Sequence, residues 1–280
     1  MYVPPVPEVT PMRARGIGSV VASKSDKFSK GALVAVNSNW VEYCVVKAKD
    51  VTPIQKVGEL SETHFLGAFG LTGITAYYGL QVVRTTKDDA IVVSGAAGAT
   101  GSMVVQIAKN IIGCKKVIGI AGSDDKCRWV ESLGADVCVN YKSPSFKDDL
   151  KKATDGFVEV YFDNVGGKIL ELMLTRLKRH GRVAACGAIA NYNAGANPEP
   201  LRNWFEIISN RLEIKGFIVF DAAEKIPEIT QILIKAYKDG KLKLGTENET
   251  VIETNFDGIP QTWLKLFSGA NTGKLVTHIV

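Results

Sequence analysis

Ala90-Ile-Val-Val-Ser-Gly95-Ala-Ala-Gly98-Ala-Thr-Gly101-Ser-Met-Val-Val-Gln-Ile-Ala-Lys109 decides the fold of this chain. A short β-branched run meets three glycines spaced three apart, and an apolar helical pattern follows at once. A strand that ends in a glycine turn and opens a helix aims bare backbone N–H groups at whatever sits above the sheet. With no Cβ in the way, a pyrophosphate can approach that backbone and rest on the positive end of the helix. In this strand–turn–helix context the spacing reads as dinucleotide binding, against the plainer reading of a tight βα turn.

Working outward, Lys116–Ala121 reads as a second buried strand, and Ser123 as the N-cap of a helix through Trp129 to Leu133. Val137–Asn140 is a third strand, Phe146–Thr154 a polar-faced helix and Phe157–Asp163 a fourth strand. Gly166-Gly167 opens a helix to about Leu177, with His180 read as a residue of a helix C-terminus. Gly181–Cys186 is a fifth strand, Asn203–Asn210 a helix and Glu213–Val219 a sixth strand. Strands that are apolar without alternation, interleaved with helices, describe a doubly wound parallel sheet covered on both faces. Such sheets bind ligands beyond the carboxyl ends of their strands.

The ends of the chain differ from its middle. Gly16–Val21, Leu33–Val36 and Trp40–Val46 read as short strands, as do Thr250–Glu253 and Lys274–Val280, with a helix around Pro260–Phe267. Trp40-Val-Glu-Tyr43 is expected to serve as core structure. Two β-rich ends flanking an α/β middle suggest a second domain built from residues 1–70 and 244–280, with 71–243 as the doubly wound domain. The cleft between them is the expected ligand site.

Composition narrows the function classes. A chain of 280 residues supports a proper core. A formal charge of +5 is mild, and the lysines scatter without forming a block, which argues against nucleic-acid binding. There is no secretory signature at Met1 and no apolar run long enough to span a bilayer. Five cysteines, odd in number and never in C-x-x-C spacing, read as reduced thiols of a cytoplasmic protein. The three histidines (His64, His180, His278) lie apart, and no cluster has zinc-ligand spacing, so no metal is expected.

The strand ends supply the candidate site. Gly98, Ala99, Thr100 and Gly101 would hold the diphosphate. After the second strand comes Ala121-Gly122-Ser123, with no carboxylate at the tip to accept from a ribose 2′-hydroxyl. Lys126 can reach back to a 2′-phosphate and Tyr141 can add a hydroxyl donor. Spacing alone leaves these two evenly open between that role and a surface lysine with a half-buried tyrosine. Asn164 offers an amide past the fourth strand. Cys186, Gly187, Ala188 and Ile189 lie past the fifth strand, and Phe217, Ile218 and Val219 end the sixth, where free backbone groups can hold a carboxamide. For each of these, caps, turns and core packing are equally good readings.

Several longer words carry a resemblance: Gly70-Leu-Thr-Gly-Ile-Thr-Ala-Tyr77, Gly95–Gly101, Ala121-Gly-Ser-Asp-Asp-Lys-Cys-Arg-Trp129, Asn140-Tyr-Lys142 and Tyr161-Phe-Asp-Asn-Val-Gly-Gly167. So do Cys186-Gly-Ala-Ile-Ala-Asn-Tyr-Asn193, Gly216-Phe-Ile-Val219 and Leu266-Phe-Ser-Gly-Ala-Asn-Thr-Gly-Lys274. In order and spacing the chain resembles the zinc-independent medium-chain dehydrogenase/reductases, and within them the NADPH-dependent alkenal double-bond reductases and prostaglandin reductases.

The resemblance implies a Rossmann domain with a GroES-like second domain, and NADPH bound by Lys126 and Tyr141 at its 2′-phosphate. It also implies cofactor contacts from Asn164, from Cys186–Ile189, from Phe217–Val219 and from Asn271. Tyr192 would hold the carbonyl of an enal or enone and steady the enolate that forms when hydride reaches the β-carbon. The plainer alternative is that Tyr192 contacts ribose or packs its own loop. The resemblance further implies a homodimer joined at an open sheet edge. The family's usual segment ahead of Tyr2-Val-Pro-Pro-Val6 is not in these residues, so the second domain is expected to be incomplete. Alternatives are a quinone reductase and a catalytically silent, shortened NADPH-binding paralogue.

Overall fold

The computed structural model describes residues 4–195 and 197–280, so Tyr2 and Val3 of the Tyr2–Val6 word lie outside it. In chain order the first strands are β1 (Arg15–Ser19), β2 (Leu33–Asn37) and β3 (Thr52–Pro53). There follow α1 (Leu71–Val82), β4 (Ala90–Ser94), α2 (Ala99–Gln106), β5 (Lys116–Ala121), α3 (Asp124–Ser132), β6 (Val137–Asn140) and α4 (Phe146–Ala153). Next are β7 (Val158–Asp163), α5 (Gly167–Leu174), β8 (Leu177–Ala185), α6 (Trp204–Ser209), β9 (Glu213–Gly216) and α7 (Ile226–Lys238). The chain closes with β10 (Glu249–Thr254), α8 (Ile259–Leu264) and β11 (Lys274–Ile279).

Six of these strands form one parallel sheet in the order β6-β5-β4-β7-β8-β9. All five residues of β4 are buried, as a strand covered on both faces requires. Alternate residues feed opposite cores. Ile91, Val93, Val117, Val160 and Phe162 join one apolar cluster with residues of α1, α2 and α7. Val92, Ile118, Ile120, Tyr161 and Val183 join the other with Leu150, Met173 and Leu174 of α4 and α5. The chain leaves β4 first for β5 and β6, then returns to β7 on the other side. The crevice above β4 and β7 is therefore the topological switch point at which open α/β sheets bind ligands.

The terminal pieces form two small sheets: antiparallel β1-β2-β3, and a parallel pair of β10 and β11. This is the α/β architecture with a β-rich second part that the resemblance implied.

Three expectations need correction. Trp40–Val46 is not a strand: Tyr43 is 79% exposed, Thr52–Pro53 takes the place beside β2, and the backbone bond at the run's start, from the Trp40 N–H to the Met12 carbonyl at 2.7 Å, is not continued as a ladder. Of its proposed core residues Glu42 and Tyr43 are exposed, while Trp40 packs edge-on against Trp263 at 6.3 Å. His180 does not end a helix: α5 stops at Leu174, and His180 lies exposed within β8 at a φ of 63°. It sits where the β7–β8 register shifts, and its N–H donates to the Asn210 carbonyl at 2.7 Å, so a bulge explains its conformation. The sixth strand ends at Gly216, not Val219.

Candidate active site

The three glycines of the turn have different duties. Gly95 needs its positive φ of 58°, which a side chain would strain. Gly101 is packed so tightly that a Cβ would lie 2.2 Å from the Gly95 carbonyl oxygen. Gly98, with a φ of −85°, is only partly buried and lies on the approach face. The turn is fixed to the sheet by the Ala96 N–H, which donates to the Ile120 carbonyl at 2.9 Å. The first helical bond of α2 runs from the Ser102 N–H to the Gly98 carbonyl, at 2.9 Å. The N–H groups of Ala99, Thr100 and Gly101 therefore have no intrahelical acceptor. A diphosphate fits this cradle on both counts, bare donors and absent Cβ atoms.

At the tip of β5 both acids are already engaged. Asp124 accepts from the Asn140 amide at 2.7 Å, and Asp125 pairs with Arg128. Ser123 caps α3 by accepting from the Lys126 N–H at 3.3 Å. Lys126 sends its ammonium to the Gly269 carbonyl at 2.7 Å. Burial lowers its pKa, and the neighbouring Lys142 charge lowers it further. Tyr141 lies across Gly122, where a Cβ would meet its ring at 3.0 Å and its hydroxyl at 3.2 Å. Two cations and a phenol thus converge with no unengaged carboxylate among them, a donor set suited to a phosphate ester and not to a bare 2′-hydroxyl. Lys142 is a cation that spacing did not single out. Its place inside the word Asn140-Tyr-Lys142 was the available signal.

Beyond β7 and β8 the chain is held by a buried carboxylate that sequence reasoning also missed. Asp163 Oδ1 accepts from the Tyr161 hydroxyl at 2.7 Å, the Ser94 hydroxyl at 3.2 Å and the N–H groups of Val165 and Gly166 at 3.0 and 2.9 Å. Its carbonyl receives the N–H groups of Cys186 and Gly187 at 2.9 and 3.0 Å. Asn164 donates its amide to the Ser94 carbonyl at 2.7 Å, so that amide ties β4 to β7. A Cβ on Gly187 would sit 3.0 Å from the Asn164 carbonyl oxygen and 3.1 Å from the Tyr192 hydroxyl. A Cβ on Gly95 would likewise meet Asn164, at 3.6 Å. Gly95, Asn164, Gly187 and Tyr192 therefore form one continuous lip around the switch point.

Tyr192 is 63% exposed, and its oxygen accepts from the Ala188 N–H at 3.3 Å. Ile189, also exposed, opens the single helical turn that precedes it. Burial, and then the Asp163 charge, push the Cys186 thiol up to about 12, so it stays protonated at neutral pH.

The remaining expected residues arrive by two routes. Asn271 is buried and donates to the Gly273 carbonyl at 2.8 Å. Gly273 in turn bridges Gly98, and its N–H donates to the Ala97 carbonyl at 2.9 Å. The segment 269–273 thus touches both the glycine turn and Lys126. Phe217, in contrast, turns into the core between Tyr78 and Phe162, at 5.9 and 6.1 Å between ring centres. That inward ring, fitted against Gly79, takes the chain out of the sheet after Gly216. Ile218 stays extended, and Val219 opens a helical turn. The backbone of Phe217–Val219 is thus at the end of β9 without being part of it.

Residues 99–235 match the zinc-binding dehydrogenase family, and residues 1–54 match a family described as the N-terminal domain of oxidoreductase. Prostaglandin reductase 1 of Bos taurus is 35% identical over 270 residues, spanning 95% of this chain and 80% of that protein. The NADP(+)-dependent 2-alkenal reductase of Nicotiana tabacum is 33% identical over 286 residues, spanning 99% of this chain and 80% of that one. This chain belongs to the medium-chain dehydrogenase/reductase family. Within the family its relatives include alkenal and prostaglandin reductases. CurA of Vibrio vulnificus, solved in complex with NADPH, superposes with a TM-score of 0.91 at 30% identity, covering all of this chain and 83% of CurA. Among the described residues no group of three or more His, Cys, Asp or Glu side chains is placed to hold a metal ion, and no helix is long and apolar enough to cross a membrane.

Proposed function

We propose that this chain is an NADPH-dependent reductase that saturates the activated carbon–carbon double bond of α,β-unsaturated aldehydes and ketones. The observation that carries the reading is that three parts stand at the carboxyl ends of one parallel sheet: a diphosphate cradle, a phosphate-suited pair of cations, and an exposed phenol. When bound, the dinucleotide supplies hydride. The chain's own residues bind, orient and stabilise. Ala99, Thr100 and Gly101 offer N–H groups to the diphosphate. Lys126 and Tyr141, with Lys142 beside them, hold the 2′-phosphate and so select NADPH over NADH. Asn164, the Cys186–Ile189 backbone, the Phe217–Val219 backbone and Asn271 line the rest of the cofactor's path.

Tyr192 is the group we assign to the substrate. Its oxygen already accepts a hydrogen bond from the Ala188 N–H, which leaves its own proton free to be donated outward. A donor placed there can bind the substrate carbonyl and stabilise the negative charge that develops on that oxygen as the β-carbon takes up hydride. A single phenol then does the polarising, and we infer that the reaction is zinc-independent. A proton taken from solvent water by the α-carbon completes the reduction.

The division into residues 1–70 with 244–280, and 71–243, is our reading of where the catalytic and nucleotide-binding parts lie. We also infer a homodimer across the β9 edge, because Trp204, Phe205, Ile208 and Ile214 are exposed around that strand. The unpaired cysteines suit the cytoplasm. The deciding experiment follows NADPH absorbance with a panel of alkenals, enones and quinones. Turnover of enals and enones above quinones is expected. NADPH binding with no turnover of any acceptor would refute the catalytic reading, and preferential quinone turnover would reassign the substrate.

A further inference from the structure

Beneath the glycine turn, on the side facing β10 and β11, lies a polar cluster that the proposed reaction does not use. Glu249 opens β10, and its side chain is only 5% exposed. One carboxylate oxygen accepts from the Thr63 hydroxyl and stands 3.6 Å from His64 Nδ1. Lys274 opens β11 and is the partner of Glu249 in the parallel register. Its stem packs on Gly67. Burial lowers the Lys274 pKa, while the Glu249 charge opposes that shift. His64 Nε2, Asn248 Nδ2 and the second Glu249 oxygen are buried without a protein partner. Together with Lys274 these residues line a cavity of about 10 Å³ against Ala99 and Ser102 of α2.

Charges taken out of water cost stability unless closely paired, so such a cluster marks a place where orientation matters more than economy. What it orients is adjacent. Lys274 follows Gly273, whose N–H is bonded to the Ala97 carbonyl and whose backbone bridges Gly98. Gly273 has a φ of 63°, and a Cβ there would lie 1.9 Å from the Asn248 carbonyl oxygen, so the starts of β10 and β11 are locked together with no slack.

We propose that Glu249, Lys274 and His64 are positioning residues for cofactor binding. The two opposite charges, neighbours in the β10–β11 register without direct contact, hold the start of β11 beside the glycine turn, and this sets the amides of Ala99–Gly101 for a diphosphate. The proposal rests on the dinucleotide reading above and assigns that cradle a support from outside the Rossmann sheet.

The test measures, for wild type and for Lys274→Met, the Kd of NADPH by its fluorescence and the Kd of adenosine 2′-monophosphate by competition. The second ligand carries the 2′-phosphate but no diphosphate. Lys274→Met keeps the apolar stem and removes the ammonium. NADPH is expected to bind about tenfold more weakly, with the monophosphate within about twofold of wild type. The double variant Glu249→Gln/Lys274→Met, which removes both buried charges together, is expected to recover part of the loss. Unchanged NADPH affinity in the variants would overturn the proposal. Equal weakening of both ligands in step with a fall in Tm would overturn it too, since that is what general damage produces. If Lys274→Met does not fold, Lys274→Arg and Glu249→Asp keep the charges but alter their reach; the same split is expected, and wild-type affinity in both would count against the idea. A wild-type chain that fails to bind NADPH overturns the cofactor reading itself, which is a separate result.

Discussion

The two ends of the proposed cofactor path are built in opposite ways. At one end Lys126 sits in the first turn of a capped helix, and Tyr141 and Lys142 lie just past the tip of β6. Each is placed by regular backbone: Ser123 caps α3, the Tyr141 N–H donates to the Ala121 carbonyl at 2.9 Å, and Gly122 gives the Tyr141 ring its room. At the other end Tyr192 stands on an exposed loop whose start is held by the backbone of Asp163, a buried residue at the end of the neighbouring strand β7. The difference separates binding from chemistry. On the function we propose, rigid elements hold what is common to every turnover, and a loop presents the donor that meets the substrate.

The most severe way to break this comparison is at the part both ends share. Gly101→Val forces a Cβ into the Gly95 carbonyl, and NADPH binding is expected to disappear from the range of a fluorescence titration. A variant that still bound NADPH normally would mean that the turn tolerates rebuilding.

Tyr192→Phe tests the loop end alone. Losing a donor to a developing oxyanion should lower kcat on an enone about 100-fold, with the NADPH Kd nearly unchanged. An unaltered kcat would remove Tyr192 from the chemistry. Lys126→Ala tests the regular end. NADPH affinity should fall roughly 10- to 100-fold while NADH affinity barely moves, and an equal loss for both cofactors would refute the 2′-phosphate assignment.

Glu159 provides a contrast at the amino end of the strands, on the far side from the site. Burial alone would raise its pKa. The hydrogen bonds from Lys178, the Ala90 N–H and Lys115 outweigh that and bring it from an ordinary 4.5 down to about 2. A carboxylate depressed by folding stabilises the protein above its unfolded pKa, and this stabilisation is lost as pH falls from about 4.5 toward 2. Glu159→Gln should therefore lower Tm at pH 7 and flatten its acid dependence, with the NADPH Kd unmoved. A change in cofactor affinity would show that the two ends of the strands are coupled.

The smallest effect is expected at Cys186. Enals alkylate thiolates, and a thiol held up at about 12 presents almost none at neutral pH. Mass spectrometry after brief enal exposure should find the exposed Cys44 modified well before Cys186. The reverse order would contradict the environment described for that loop.

Much of the fold was legible because strands buried on both faces read as unbroken apolar runs. β5 and β6 appear at the very residues expected, and Ser123 caps α3 as its type and place suggested. The misreadings share a cause as well. Trp40–Val46 alternates like a strand, yet a strand exists only if another backbone pairs with it. His180 precedes a glycine as helix ends often do, but the chain had already entered β8, and only the bulge against β7 accounts for its φ. Phe217 reads as strand until its ring finds the space left by Gly79. Each error concerns a partner that lies elsewhere in the chain.

From the order of its residues alone this chain specified a β-strand, a glycine turn and a helix, and with them a place for a diphosphate. Those features arise from neighbours a few positions apart, through sterics and backbone hydrogen bonds that act locally. Only the tertiary structure brought Gly273 onto Gly98, Gly269 onto Lys126 and Glu249 between Thr63 and Lys274, because contacts between distant segments depend on how whole layers pack. Thr63 and Glu249 are 186 residues apart, and no local pattern records that they meet.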